Sequence, residues 1–451
     1  MAPLLLPLTS FLIAALVLLW PRRARLITLV AVLSSGVLVV MLAARFFDYG
    51  PISYTIGGWP AKMGIELYFD EIGLYFSALA VVLGLAVIAY LWNRRMKSHF
   101  YLLLNLLFGS IYTLIFSRDL FNIFVAMEFL TLASFLLVGY PRRPYQVWAS
   151  LKYLILSVVG MGLYLLGVTV FYYHTGTLNL GIIAELIVGE HTVWLTLSSA
   201  LIVTGIAVKS GIFCFSMWLP DAHAYALPAV SALLSGIVVK MGVVVLFRLS
   251  EVFPLSFLLI VLGIATGLLG ILWALAEQEI KKILAFSTFT QIGYILIGLG
   301  LNTSGTINAA LWYAVGHGLF KGLLFLAAGT AITSVKGRTV SALLARRTLL
   351  SPITRLSLLV GILALSGFPI LPAFVGRTLL DGGMPPGWLK FFLGLISLGG
   401  VIVYARLLPV GYSRSKEDNE YHPETGGERL AAMILVLPII FFLPLAWLAG
   451  V

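Results

Sequence analysis

The chain has 451 residues, 61% of them hydrophobic and only 10% charged, against about a quarter charged in a soluble globular chain. So apolar a chain excludes a soluble enzyme, a disordered tail and a disulfide-rich secreted domain, and leaves an all-α polytopic membrane protein. The net charge of +11 lies between apolar stretches, where basic residues orient a membrane chain, so it is not a nucleic-acid signal. A single cysteine, Cys214, excludes an internal disulfide, a multi-cysteine zinc site and an iron–sulfur cluster held by this chain alone. No metal and no cofactor is expected in it.

A bilayer core about 30 Å thick takes roughly 20 apolar residues per helix. About fourteen stretches qualify, near 4–20, 26–45, 72–92, 99–117, 119–140, 149–173, 193–216, 229–249, 253–275, 281–301, 304–334, 352–380, 386–411 and 429–450. The first is read as a retained span, because Arg22, Arg23 and Arg25 follow it without a small-residue cleavage site. Residues 46–71, with Gly57, Gly58, Trp59, Pro60, Asp70 and Glu71, read as a short hairpin. The 304–334 stretch is longer than one crossing needs, which predicts tilt, a kink or a π-bulge. Residues 412–428 are the most polar segment and mainly acidic.

The loops alternate in charge. One side carries Arg22, Arg23 and Arg25, then Arg94, Arg95 and Lys97, then Arg142 and Arg143, Lys281 and Lys282, Lys336 to Arg355, and Arg414, Lys416 and Arg429. The other side has only Arg45, Lys62, Arg118, Arg248 and Lys390. The positive-inside rule then places the basic loops in the cytoplasm and both termini outside a prokaryotic cell membrane.

Six ionisable residues fall inside apolar spans: Glu128, Lys209, Lys240, His317, Lys321 and Arg377. A charge at the bilayer centre costs at least about 2.5–3.5 kcal/mol, so such residues face a bundle interior or water and mark an ion path. Glu128 has no basic neighbour in its own helix, so its partner must come from another. Gly205, Gly211 and Pro220 around Lys209 indicate a broken helix, with Pro220 itself read as the start of a loop. His317 and Lys321 are four apart on one helical face and would repel if both were charged, which suits a proton relay. Arg377 follows Gly367, Pro369, Pro372 and Gly376, a second interrupted helix. No phosphate-binding loop, dinucleotide fingerprint, metal-ligand cluster or nucleophile–base pair is present, so catalysis by the chain itself is the weakest reading.

Five segments in order resemble one family: GGWPAKMGIELYFDE (Gly57–Glu71), the helix of Glu128, KSGIFCFSMWLPDAHAYALPAVSALLSGIVVKMG (Lys209–Gly242), IKKILAFSTFTQIGY (Ile280–Tyr294) and GHGLFKGLLF (Gly316–Phe325). They resemble the antiporter-like subunits shared by Mrp-type sodium/proton antiporters, energy-converting membrane-bound nickel–iron hydrogenases and respiratory complex I. The WLPDAH and SALLSG wording is most similar to the Mrp D-type and hydrogenase-type subunits. The resemblance implies fourteen helices with two inverted five-helix repeats, helices 7 and 12 discontinuous, and no lateral helix after the last. It divides the chain into 1–98 (helices 1–3 with the outer loop), 99–250 (first repeat), 251–411 (second repeat) and 412–451 (cytoplasmic loop and last helix).

By the same resemblance, Glu128, Lys209, Lys240, His317 and Lys321 occupy the family's ion-translocating positions. Arg377 falls where the family has Lys or Glu, in GFPILPAFVGR, with Ile370 and Ala373 replacing a proline and a glycine of the usual pattern. An arginine does not deprotonate in a protein, so Arg377 is a fixed charge gate, a neighbour of the water that releases the proton, or the mark of an impaired second half-channel.

The implied mechanism is charge-coupled translocation of protons, or of sodium and protons. Glu128 and Lys209 form an ion pair at rest, a neighbouring subunit separates them, and the proton passes toward Lys240, His317 and Lys321. The implied partners are other membrane subunits of a multisubunit complex, with redox subunits where the complex is a respiratory one. The alternatives are a structural subunit that carries no ions and a stand-alone secondary transporter.

Overall fold

The computed structural model describes residues 2–140, 142–189, 192–213, 215–383, 387–412 and 423–442. Cys214, the loop cations Arg414 and Lys416, and the end of the 429–450 stretch lie outside the described residues. Helix α1 (Ala2–Leu19) is followed by one tight turn at Pro21–Arg23 and by α2 (Ala24–Tyr49). The expected hairpin is a two-stranded antiparallel ribbon of β1 (Ile52–Thr55) and β2 (Glu66–Phe69), with Ile52 opposite Phe69 and Thr55 opposite Glu66. Its connection turns at Gly57 and Gly58, which take φ of 73° and 71°, open to glycine without strain.

Next come α3 (Glu71–Tyr90), α4 (Ser98–Phe116), α5 (Leu120–Val138), α6 (Pro144–Thr175), α7 (Leu180–Leu186) and α8 (Val193–Lys209). They are followed by α9 (Leu219–Tyr225), α10 (Pro228–Leu233), a π-turn at Leu234–Val238, α11 (Val239–Ser250) and α12 (Ser256–Ala276). The chain continues through α13 (Ile280–Leu301), α14 (Ser304–Val335), α15 (Val340–Ala345), α16 (Pro352–Ser366), α17 (Pro372–Gly382), α18 (Trp388–Ala405), α19 (Leu408–Gly411) and α20 (Gly426–Ile440).

Among the described residues, ten helical stretches are long and apolar enough to cross a membrane, and three shorter apolar helices accompany them. The helices are amphipathic with respect to protein, not water. Every residue of the most apolar window of Pro228–Ser250 is buried, against a third of that of Pro21–Tyr49. The stretch with Lys240 is therefore enclosed by protein, whereas α2 has most of its apolar surface exposed, as lipid contact requires.

Contacts divide the chain into two units. One comprises residues 1–84, 96–210 and 237–254, and the other residues 85–95, 211–236 and 255–451. In the first unit α6 and α8 approach closely at Gly160 and Gly205, where a Cβ on Gly205 would lie 2.5 Å from the Gly160 carbonyl oxygen. In the second, a Cβ on Gly293 of α13 would lie 2.6 Å from the Gly263 carbonyl oxygen of α12. Small residues let membrane helices gain packing where no hydrophobic drive separates helix from lipid.

Both anticipated interruptions are present. Helix α8 stops at Lys209, the chain turns through Gly211 with φ of 72°, and a short α9 begins at Leu219. Pro220 is the second residue of that helix, so it starts a helix and not the expected loop, in keeping with proline's tolerance in a first helical turn. Helix α16 stops at Ser366, and α17 starts at Pro372 after Gly367 and Ile370 take φ of 80° and 76°. The long α14 has neither kink nor π-bulge; its 32 residues span about 48 Å and exceed the bilayer core. The π-turn lies instead in the stretch before Lys240.

Within each unit a short backbone bridge closes a two-helix segment, α5 and α6 in the first and α13 and α14 in the second. In the first, Asp119 pairs with Asn179: Leu120 N–H donates to the Leu178 carbonyl and Leu180 N–H to the Arg118 carbonyl, at 2.9 and 2.8 Å. In the second, Glu279 pairs with Thr339 by the same pattern: Ile280 N–H donates to the Arg338 carbonyl at 3.1 Å and Val340 N–H to the Gln278 carbonyl at 2.9 Å. One sequence displacement carries Asp119 to Glu279, Asn179 to Thr339, and the bounds of α6 onto those of α14. The two segments are copies of one architecture.

Candidate ion-translocation sites

In the first unit, Lys209 is the last residue of α8, so its ammonium sits at the negative end of a helix dipole. Its Nζ donates to Thr131 Oγ1 on α5 and lies 5.6 Å from the centre of the Tyr153 ring on α6. Tyr153 in turn shares a 2.9 Å hydrogen bond with Ser134 Oγ. Glu128 is one turn before Thr131 on α5, which places its carboxylate in the same region. No ion pair joins Glu128 to Lys209 among the described residues, and the buried Glu128 Oε1 accepts no hydrogen bond there. The expected resting ion pair is thus open, and the Thr131 hydroxyl accepts from the ammonium instead.

Lys240 is fully buried on α11, immediately after the π-turn. Gly242, two residues on, packs against Ser210, the residue after Lys209, so the two lysine-bearing helices touch at a position where only a glycine fits.

In the second unit, Lys321 and His317 are both fully buried on α14. Lys321 Nζ donates to the Leu284 carbonyl at 2.6 Å and to Ser287 Oγ, both on α13. The His317 ring lies 5.4 Å from that of Phe320. Arg377 has a separate setting. Its Nη1 and Nη2 donate to the Ser366 and Leu365 carbonyls at 3.1 and 3.4 Å, its Nε to Tyr313 Oη at 3.4 Å, and its guanidinium lies 4.6 Å above the Tyr294 ring. It therefore caps the C-terminal carbonyls of α16 from across the break.

Further buried polar groups are not evident from the sequence. Lys281, which its position marks as a loop cation, is buried and donates to the Ala226 carbonyl at the end of α9 at 2.8 Å. Arg338 donates to the Ala224 carbonyl of the same helix end. The usable signal is the spacing of Lys281 with Leu284, Thr288 and Gln291, one face of α13 on which Lys281 turns inward while Lys282 reaches Glu277 at 3.9 Å. His223 is fully buried and stacks on Phe325, ring centres 4.5 Å apart. Arg248 is also fully buried and pairs with Asp70 through two hydrogen bonds of 2.5 and 2.8 Å. Burial alone would raise the Asp70 carboxyl, but the charge and hydrogen bonds of Arg248 outweigh it and hold the group below its ordinary range. Burial pushes Glu251, the other carboxylate near Arg248, upward against the pull of Arg248 and Arg118.

Residues 117–402 match the family model described as NADH:quinone oxidoreductase/Mrp antiporter, transmembrane. The chain belongs to this family. It is 28% identical to the D-type subunit of the Na(+)/H(+) antiporter of Bacillus subtilis, over 99% of this chain and 94% of that protein. Its fold matches a chain of the membrane-bound sulfane sulfur reductase, an archaeal respiratory membrane complex, with a TM-score of 0.88 and 25% identity, covering 98% of this chain and 94% of that one. It also matches a chain of the Mrp complex from Dietzia sp. DQ12-45-1b, with a TM-score of 0.84 and 22% identity, over 99% of this chain and 95% of that one. The chain is an integral membrane protein with the fold of the antiporter-like subunits.

Proposed function

We propose that this chain is a proton-translocating membrane subunit of a multisubunit complex, and that Lys209 is its exchangeable site. The observation that carries this reading is the end of α8: a buried ammonium at a helix break, held by one threonine hydroxyl, with the open carboxylate oxygen of Glu128 one turn away. A proton is the ion such a group can hold and release. A sodium ion needs oxygen ligands and no neighbouring cation. Closing the Glu128–Lys209 pair favours the charged ammonium, and opening it in a low-dielectric site favours release. Lys240, then His317 and Lys321, are the further positions of the relay. The basic loops face the cytoplasm, the partners are other membrane subunits, and any redox chemistry belongs to those partners. Exchange against sodium, as the name of the Bacillus relative states for that protein, takes place in this reading through groups other than Lys209.

The test is transport by the assembled complex in vesicles. Lys209→Ala and Lys209→Arg should each lower it more than about tenfold while assembly persists, because arginine keeps the charge and does not release the proton. A structural subunit would tolerate Lys209→Arg. Wild-type rates in Lys209→Arg and Glu128→Ala together overturn the proposal.

A further inference from the structure

The displacement that carries Asp119 to Glu279 and Asn179 to Thr339 also relates the surroundings of the two buried cations. It carries Thr131 to Gln291, Ser134 to Tyr294 and Tyr153 to Tyr313. Thr131, Ser134 and Tyr153 surround Lys209 in the first unit. Gln291, Tyr294 and Tyr313 surround Arg377 in the second, since Tyr313 Oη donates to Gln291 Oε1 and accepts from Arg377 Nε. The two sites are therefore copies, each with a cation at the C-terminal end of an interrupted helix. In the first the cation is the last residue of α8; in the second it reaches back from α17 to the last carbonyls of α16.

Three of the differences between the copies have one sense. Glu128 is carried to Thr288, whose hydroxyl is held by Leu284 and Ser235, so the carboxylate that could modulate the cation is missing. Among the described residues Arg377 has no ion pair; the one carboxylate on its own helix, Asp381, pairs with Lys390 at 3.4 Å. The groups that face Arg377 from α13 and α14, and Tyr404 of α18 beyond Gln291, are neutral phenols and an amide. The cation itself is a guanidinium, which stays charged at any working pH. Finally, Gln291 links Tyr313 to Tyr404 by accepting from one and donating to the other at 3.3 Å. A primary amide has no single group that both takes and gives a proton, as a hydroxyl does.

We propose that the Arg377 site is a permanently charged, proton-blocking gate, a copy of the Lys209 site from which the exchange chemistry has been removed. This rests on the reading of Lys209 as the exchangeable site. The subunit then pairs an exchangeable site at Lys209 with a fixed cation at Arg377 that repels protons.

The experiment compares Arg377→Lys, Arg377→Gln and Lys209→Ala in the assembled complex in sealed vesicles, following driven transport and the passive decay of a pH gradient. Arg377→Lys keeps the charge below the pKa of the new lysine and loses it above. Passive decay should rise several-fold as pH increases in Arg377→Lys, while wild type stays flat. Arg377→Gln should leak several-fold faster at every pH. A tight Arg377→Gln with normal transport, or an Arg377→Lys whose decay is flat with pH, overturns the gate. If Arg377→Gln does not assemble, the pH profile of Arg377→Lys decides alone. Lys209→Ala separates the two readings: intact transport there overturns the exchangeable site and the gate with it, whereas lost transport there with a tight Arg377→Gln overturns the gate alone.

Discussion

Arg248 and Asp70 show what a single residue contributes away from the candidate ion-translocation sites. Two hydrogen bonds join the buried Arg248 guanidinium to the partly buried Asp70, and removing the carboxylate leaves a buried charge without its main partner. Asp70→Asn should therefore destabilise the purified protein by about 3–5 kcal/mol, read as a lower unfolding midpoint. The pair also has a pH signature. The Asp70 carboxyl lies below its ordinary value of 3.8 in the folded state, so its stabilisation is complete above that value and is lost as pH falls through the folded one. The unfolding midpoint of wild type should drop in that acidic window, and Asp70→Asn should lose this component. Lys240 and Lys321 can be recognised in the sequence because long apolar runs flank them on both sides. Arg248 and Lys281 cannot, because each stands within a few residues of a helix end, where a long cationic side chain ordinarily snorkels to water. What buries them is a neighbour distant in sequence, Asp70 for one and the end of α9 for the other.

At the scale of the element, the helix ends that flank the candidate sites are only half legible in the sequence. The glycines and prolines announce both breaks, yet Pro220 begins α9, α14 runs without a kink or π-bulge, and an unannounced π-turn stands before Lys240. Periodicity does not resolve such details, since a π-turn and an α-turn leave the same apolar composition. The second break holds Ile370 at φ of 76°, a left-handed conformation that is unfavourable by about 1–2 kcal/mol for a residue with a Cβ. Ile370→Gly should raise the unfolding midpoint of the purified protein, because it removes that strain at an exposed position; an unchanged or lower midpoint would show that the Ile370 side chain holds the break. The α6–α8 contact is the opposite case. Gly205→Leu puts a side chain where the Gly160 carbonyl already lies, so the helices must part, and the variant should fail to yield assembled complex on a native gel.

For the whole molecule, composition alone indicates a helical membrane protein, and the order of five motifs indicates its family, which the match over residues 117–402 shows. The internal duplication is harder to see. Its corresponding residues differ in kind, Thr131 against Gln291 and Ser134 against Tyr294, so it emerges from backbone bridges and helix bounds. Sidedness is testable at this scale: a cysteine placed at Lys336 should react with an impermeant maleimide only when vesicles expose the cytoplasmic face, and one placed at Met63 only from the other. The paired bridges have a consequence for how the chain matures. Each closes a loop of about sixty residues on its own backbone, so each two-helix segment can complete its hydrogen bonding before the rest is synthesised. The amides of Leu120, Leu180, Ile280 and Val340, all at the mouths of loops, should then exchange with deuterium as slowly as helix interiors. A truncated nascent chain ending after α7 should already protect the first two.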